Sequence, residues 1–253
     1  MEDKSPNGYS CPQMDSLFFV SEICGALKKI KRTGWLRCQV PLPESDSDHM
    51  HRCAMCALLL TQPADPRDDY SHPDTAKFHP SKVDTTRLLK MAVSHDLCEA
   101  LASDITPFCD PKKVASKHET EERAMQEIRK VVGDPLGKDL YELWHEYEAQ
   151  ETVEALYCKD IDKFEMVVQA YEYEEEHLKD RKEIPSAPDD PSSHPPASPP
   201  VTEEPLRTFF MTTNKTMKSP LFKRLDRDLR EKREKMLTEK GWEVTEQERQ
   251  QPQ

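Results

Sequence analysis

Apolar residues along this chain recur at helical spacing in long stretches, and no run alternates far enough to call for a sheet. From Met14 to Ile30 they fall at Leu17, Phe18, Val20, Ile23, Cys24, Leu27 and Ile30, one face of a 3.6-residue repeat. The basic run Lys28, Lys29, Lys31, Arg32 closes this helix, and Thr33-Gly34-Trp35 breaks it, since glycine ends helices. The loop that follows carries Ser45, Asp46 and Ser47, polar residues suited to capping a second helix. That helix runs from about Ser47 to Leu60. Further helices are expected over Thr85–Ala102, Lys117–Val132, Asp139–Gln150 and, the longest, Thr152–Lys179. The pattern predicts an all-α fold.

Two stretches lack any period. Residues 61–84 are rich in Pro, Asp and His and read as an inserted surface loop. Residues 180–205 crowd prolines among Ser, Asp and Glu and read as a disordered or polyproline-type linker. The expected layout is a flexible N-terminus over 1–14 and a main domain over 15–179. The linker then leads to a helical segment over 206–240 that completes the domain, and to a flexible tail over 241–253. Within that segment, Lys223 to Lys240 is a charge-rich helix whose charges pair with one another in solvent.

Composition narrows the function. In 253 residues, 48 acidic side chains against 36 Lys and Arg give a net charge of -12, which opposes binding to a nucleic-acid backbone. A small phosphorylated substrate remains compatible, because a local metal and an arginine outweigh the distant field at short range. Only 6 glycines are present, and no glycine-rich phosphate loop. No apolar run is long enough to span a bilayer. The polar N-terminus has no signal-peptide core, so the 8 cysteines are expected reduced, in the cytoplasm. Cys53-x-x-Cys56 shares a helix face with His49, but no second cysteine pair matches it, and core packing is the expected role.

The chemistry centres on His95-Asp96, set in the middle of an apolar helical pattern. A buried Asp costs several kcal/mol unless it is paired or binds a metal. His49 sits behind the capping run of another helix. Asp160 and Asp162 sit in the long helix, and spacing alone does not choose between them. Two imidazoles and two carboxylates make a mixed N/O set suited to Mn²⁺, Fe²⁺, Co²⁺, Ni²⁺, Zn²⁺ or Mg²⁺. Glu99, four residues after His95, and Asp104, where that helix should end, are carboxylates placed for general acid or base work.

Five segments occur in one order: Lys31-Arg32-Thr33-Gly34-Trp35; Pro43-Glu44-Ser45 with Ser47-Asp48-His49-Met50; Ser94-His95-Asp96-Leu97-Cys98-Glu99; Asp104-Ile105-Thr106-Pro107; and Asp162-Lys163-Phe164-Glu165-Met166. Together they closely resemble the eukaryotic branch of the HD-domain 5'-deoxynucleotidases. The resemblance covers about residues 15–178 and resumes weakly over Phe209–Glu234. It implies an HD-domain helical bundle that hydrolyses deoxyribonucleoside 5'-monophosphates to deoxyribonucleosides and phosphate, acting as a homodimer.

For the site, the resemblance implies a divalent metal on His49, His95, Asp96 and Asp162, which selects Asp162 over Asp160. It also implies substrate contacts from Arg32 and Trp35, and catalytic roles for Glu99 and Asp104. Two departures stand out. Glycine usually precedes the position of Asp104, whereas this chain has Ser103, which adopts positive φ only at a cost. The proline-rich stretches 61–84 and 180–205 also exceed the family pattern. The competing functions are hydrolysis of nucleoside triphosphates or cyclic nucleotides by the same machinery, and a non-catalytic nucleotide sensor.

Overall fold

In a computed structural model of the chain, the described residues are 16–184 and 200–250. They form helices and connecting turns, with an isolated antiparallel bridge between Lys31 and Ser45. The helix Val153–His177 is the axis. It packs against Asp46–Ala57, Thr85–Ser94, Leu136–Ala149, Arg207–Thr213 and Pro220–Glu239. Thr152 starts it by accepting a hydrogen bond from the Ala155 amide, the side-chain cap that satisfies an otherwise unpaired N–H. Apolar residues on several faces let one helix serve several neighbours. Tyr157, Cys158 and Ile161 join Cys53, Leu88, Met91 and Phe222. Further along, Val167, Ala170 and Tyr171 join Trp35, Phe210 and Leu237.

Asp46–Ala57 begins with a capping box. Ser45 accepts from the Asp48 amide at 3.3 Å, and Asp48 Oδ2 accepts from the Ser45 amide at 2.8 Å. This reciprocal pair fixes where the helix starts, and therefore which way His49, in its first turn, points. Gly34 has a packing reason as well: a Cβ there would lie 3.2 Å from the Phe209 ring, whose centroid is 4.4 Å from that of Trp35 in a tilted pair.

The structure differs from the sequence expectations in several places. The helix expected over Thr85–Ala102 ends at Ser94 and resumes only as the short turn Glu99–Ala102. Between them the backbone tightens to bonds three residues apart, Leu97 to Ser94 at 3.1 Å and Glu99 to Asp96 at 3.0 Å. Such tightening turns side chains away from their ideal helical positions, here at the His-Asp pair. The stretch 61–84 is anchored: it contains the helical turns Pro73–Ala76 and Pro80–Lys82, buries Phe78 against Tyr157, and ties Asp68 to Arg224 at 2.6 Å.

The described ends of the proline-rich stretch are also packed. Val201 is buried, and its amide donates to the Cys38 carbonyl at 3.2 Å. The expected flexible tail carries the turn Glu246–Arg249, where Glu248 accepts from buried Arg233 at 2.7 Å. Arg233 also holds Glu174 of the long helix, at 2.6 and 2.9 Å. Periodicity fails to reveal these anchors because each rests on one or two charged or aromatic side chains. The expected flexible N-terminus over 1–14, the centre of the linker (185–199) and the last residues (251–253) lie outside the described residues.

Candidate metal centre and cavity

Four side chains from three helical segments meet at one point. His49 Nε2 lies 3.4 Å from Asp162 Oδ1 and 3.7 Å from Asp96 Oδ2, and His95 Nε2 lies 3.2 Å from Asp96 Oδ2. Ligand atoms about 3 Å apart are what bonds of ~2.1 Å to one ion at right angles require. Asp160, two residues from Asp162, is turned elsewhere. Its carboxylate accepts from the Lys218 amide (2.9 and 3.0 Å), the Ser219 amide (2.7 Å) and the Ser219 hydroxyl (2.7 Å).

The tautomers of both histidines follow from their outer contacts. His95 Nδ1 lies 3.0 Å from the Ala92 carbonyl; a carbonyl only accepts, so Nδ1 carries the proton. His95 Nε2 is then a lone pair, and it is buried without a hydrogen-bond partner. Its 3.2 Å approach to Asp96 is a contact without hydrogen-bond alignment. His49 Nδ1 is bonded to the fully buried Glu165, which leaves His49 Nε2 facing Asp96 and Asp162. A carboxylate or carbonyl behind each imidazole, with Nε2 turned inward, is the arrangement metal-binding histidines need.

Electrostatics favours a cation there. Burial works against charge on Asp96, yet His95, when its imidazole is protonated, outweighs it and holds the carboxyl below its usual range. Burial is likewise overruled at Asp162, by Lys159 and by His49, and its carboxyl is held well below the usual range. The His49 imidazole is deeply buried and near Arg32, both of which disfavour its charge, but Glu165 and Asp162 push its pKa well above the ordinary value. A field that holds a proton so firmly also favours a divalent ion. Cys53 Sγ lies 3.6 Å from His49 Nε2 and forms a possible ligand triplet with His49 and His95. Burial pushes that thiol up to about 12, so it stays neutral and ligates poorly. The carboxylates are the better third and fourth donors.

Beside this cluster lies a cavity of about 240 Å³, lined by Arg32, Glu99, Asp104, Lys117, Lys163 and others. Arg32 Nη1 is 3.4 Å from Asp96, and its Nε is 3.8 Å from Glu44. The Thr33 amide donates to Asp104 Oδ2 at 2.6 Å, and the Thr33 hydroxyl to the Asp104 carbonyl at 2.9 Å, so Asp104 is locked beside Arg32. Ser103, just before it, has φ 63° and ψ 162°, a region that essentially only glycine visits without strain. Glu99 is buried, its Oε2 has no partner, and burial, then Asp96 and Asp104, raise its pKa well above the carboxylate range. Asp162 Oδ2 accepts from Tyr147 at 2.8 Å and from Lys159 at 2.9 Å.

Trp35 is placed differently from the expectation. It is 1 % exposed and lies in the core, where its indole N–H donates to Glu44 at 2.8 Å, and it is not among the residues that line the cavity. It holds Glu44 near Arg32 rather than facing the cavity.

Comparison with known proteins now adds to the geometry. The family model described as HD domain matches residues 24–187. The chain belongs to the HD domain family. This HD domain is 37% identical over 204 residues to the 5'-deoxynucleotidase HDDC2 of Dictyostelium discoideum, covering 81% of this chain and 91% of that protein. It is 38% identical over 161 residues to the 5'-deoxynucleotidase HDDC2 of Homo sapiens, covering 63% of this chain and 69% of that one. Two solved structures share the fold. One is a predicted metal-dependent phosphohydrolase from Magnetospirillum magnetotacticum (TM-score 0.55, 21% identity, 90% of this chain and 94% of that one). The other is the PH0347 protein from Pyrococcus horikoshii (TM-score 0.55, 24% identity, 83% and 94%).

Sequence reasoning passed over several residues that build this HD domain's site. Glu165 stands three residues after Asp162, where the helical repeat brings it to the same side, and a buried Glu in an apolar helix was the available signal. Asp46 was read only as a capping residue. It is buried, both its carboxylate oxygens lack partners, and burial against the pull of Arg32 raises its pKa to about 7. Lys159, which with Tyr147 orients Asp162, carried no signal beyond its helical position.

Proposed function

We propose that this HD domain is a metal-dependent 5'-deoxynucleotidase. It hydrolyses deoxyribonucleoside 5'-monophosphates to deoxyribonucleosides and phosphate. The activity is that named for relatives aligned over most of their length. The observation that carries it to this chain is the pair of inward-facing Nε2 atoms, each imidazole fixed by a partner on Nδ1, beside Asp96 and Asp162.

In this reading His49, His95, Asp96 and Asp162 hold one divalent ion. Two imidazoles and two carboxylates suit Mn²⁺, Co²⁺, Mg²⁺, Fe²⁺, Ni²⁺ or Zn²⁺ with positions left for other ligands. When bound, the ion supplies Lewis acidity toward the phosphoryl group and toward water. Arg32 gathers the phosphate with its planar fork of donors and offsets the charge that develops on it. Its pairing with Asp96 and Glu44 holds the guanidinium in place before substrate arrives. Glu99 and Asp104 divide the proton work, one taking a proton from the attacking water and the other returning one to the departing 5'-oxygen. Thr33 fixes the Asp104 carboxylate for this task through Oδ2.

The finer partner expectations belong to the same reading. Leu17, in the helical turn Ser16–Phe18, and Val20, in the π-helical turn Phe19–Ile23, are 77% and 63% exposed, apolar side chains that fit pairing with a second copy; light scattering at micromolar concentration tests the homodimer. The net charge of -12 supports small nucleotides over nucleic acids. Among the described residues no helix is long and apolar enough to cross a membrane.

The test is phosphate release from dAMP with Mn²⁺ or Co²⁺, alongside a panel of ribonucleoside monophosphates and deoxynucleoside triphosphates. Release from dAMP should vanish with chelator and in Asp96→Ala. Binding of dAMP without turnover by the metal-loaded wild-type protein would instead favour the sensor reading.

A further inference from the structure

We propose that Lys163 is a second binding residue for the substrate's phosphoryl group, sharing that dianion with Arg32. The inference rests on the nucleotidase reading for the identity of the anion. It rests on the structure for the choice of residue.

Four cations line the cavity: Arg32, Lys117, Lys159 and Lys163. Three already have carboxylates. Arg32 meets Asp96 at 3.4 Å, Lys117 meets Glu121 at 3.4 Å, and Lys159 meets Asp162 at 2.9 Å. Among the described residues, the Lys163 side chain makes no hydrogen bond or ion pair. The two acids nearest it in sequence are spent elsewhere. Asp160 is filled by the amides of Lys218 and Ser219 and the Ser219 hydroxyl, and Asp162 Oδ2 by Tyr147 and Lys159.

The surroundings of Lys163 are otherwise unfriendly to its charge. It is half-buried, and Lys159 and Lys218 are positive neighbours. Lys218 is brought there because its own amide is clamped to Asp160. A partly desolvated ammonium without a counter-ion is costly in a fold and is relieved when an anion arrives. A deoxyribonucleoside monophosphate has a single anionic group, the phosphate, because its sugar and base are neutral. Charge therefore points Lys163 at the phosphate and away from the nucleoside.

The experiment compares metal-loaded wild type, Lys163→Met and Lys163→Arg. Calorimetry measures inorganic phosphate and, separately, deoxyadenosine; steady-state assays give KM and kcat for dAMP. Loss of a charge-assisted contact should weaken phosphate binding and raise KM by about tenfold in the Met variant. Deoxyadenosine affinity and bound-metal content should hold, kcat should stay within about threefold, and Arg should restore most of the loss. Unchanged phosphate affinity in Lys163→Met overturns the assignment. So does an equal loss of deoxyadenosine affinity, or a loss explained by departure of the metal. If wild type binds phosphate but turns over no dAMP, the nucleotidase reading fails, while the phosphate titration still judges Lys163.

Discussion

Glu165 is hydrogen-bonded to Nδ1 of His49, and both side chains are fully buried. The proton between them decides which imidazole nitrogen faces Asp96 and Asp162. Removing the carboxylate in Glu165→Ala frees the ring to turn and leaves a buried N–H unpaired. Losses of this kind weaken metal binding about 10- to 100-fold. Titration with Mn²⁺ or Co²⁺, followed by metal content after desalting, measures it; an unaltered affinity would mean that His49 is oriented by packing alone.

Arg32 should matter to turnover more than to folding. In Arg32→Met the forked donors are gone and Asp96 loses its cationic neighbour. The expected fall in kcat/KM for dAMP is about 100-fold, the scale seen when one transition-state donor is deleted. Arg32→Lys keeps charge but not the fork and should recover only part. Full activity in the lysine variant would show that a point charge suffices.

Ser103 is held at φ 63°, ψ 162°, where a side chain costs about 1–3 kcal/mol. Glycine removes that strain but adds freedom to the unfolded chain, about 0.5–1 kcal/mol. Ser103→Gly should therefore gain about 1 kcal/mol net and raise Tm by about 2–4 °C. Ser103→Val should do the opposite. Differential scanning calorimetry reads both, and a lower Tm for the glycine variant would contradict the strain argument.

Glu121 borders the cavity with a pKa raised to about 7, chiefly by burial and, more weakly, by Glu148, against the pull of Lys117. Between about pH 4.5 and pH 7 the folded protein thus keeps a proton that the unfolded chain has released. Stability must fall as pH rises through that window. Glu121→Gln cannot release a proton, so it should flatten this slope and be more stable than wild type at pH 8, by on the order of 2 kcal/mol. Chemical denaturation of both proteins at pH 5 and pH 8 tests it, and parallel slopes would count against it.

How much of this was legible beforehand depends on the kind of signal. The long amphipathic helices were readable because burial repeats along them. The meeting of His49, His95, Asp96 and Asp162 was readable only through the resemblance of five spaced motifs, since spacing left Asp160 and Asp162 equal. What separates them is a tertiary fact, the docking of Ser219 onto Asp160. The break after Ser94 was hidden because the apolar repeat runs on through it. Trp35 departs from its expected place because a motif gives a neighbourhood and not a direction: three residues from Arg32, its ring points into the core. The anchoring of Phe78, Asp68 and Glu248 rests on a few charged or aromatic contacts that no periodicity advertises.

The clamp on Asp160 has a consequence for the chain as a connected object. One turn of the axial helix carries both a proposed metal ligand and the seat for residues 218 and 219, which arrive after the proline-rich stretch. Arg233 and Glu174 repeat the attachment farther along. A protease cut between residues 184 and 200 should therefore leave two fragments that stay together and keep the site. A stop codon in the same interval should not, because it removes the piece that occupies Asp160 and would leave a buried carboxylate unanswered two residues from the cage.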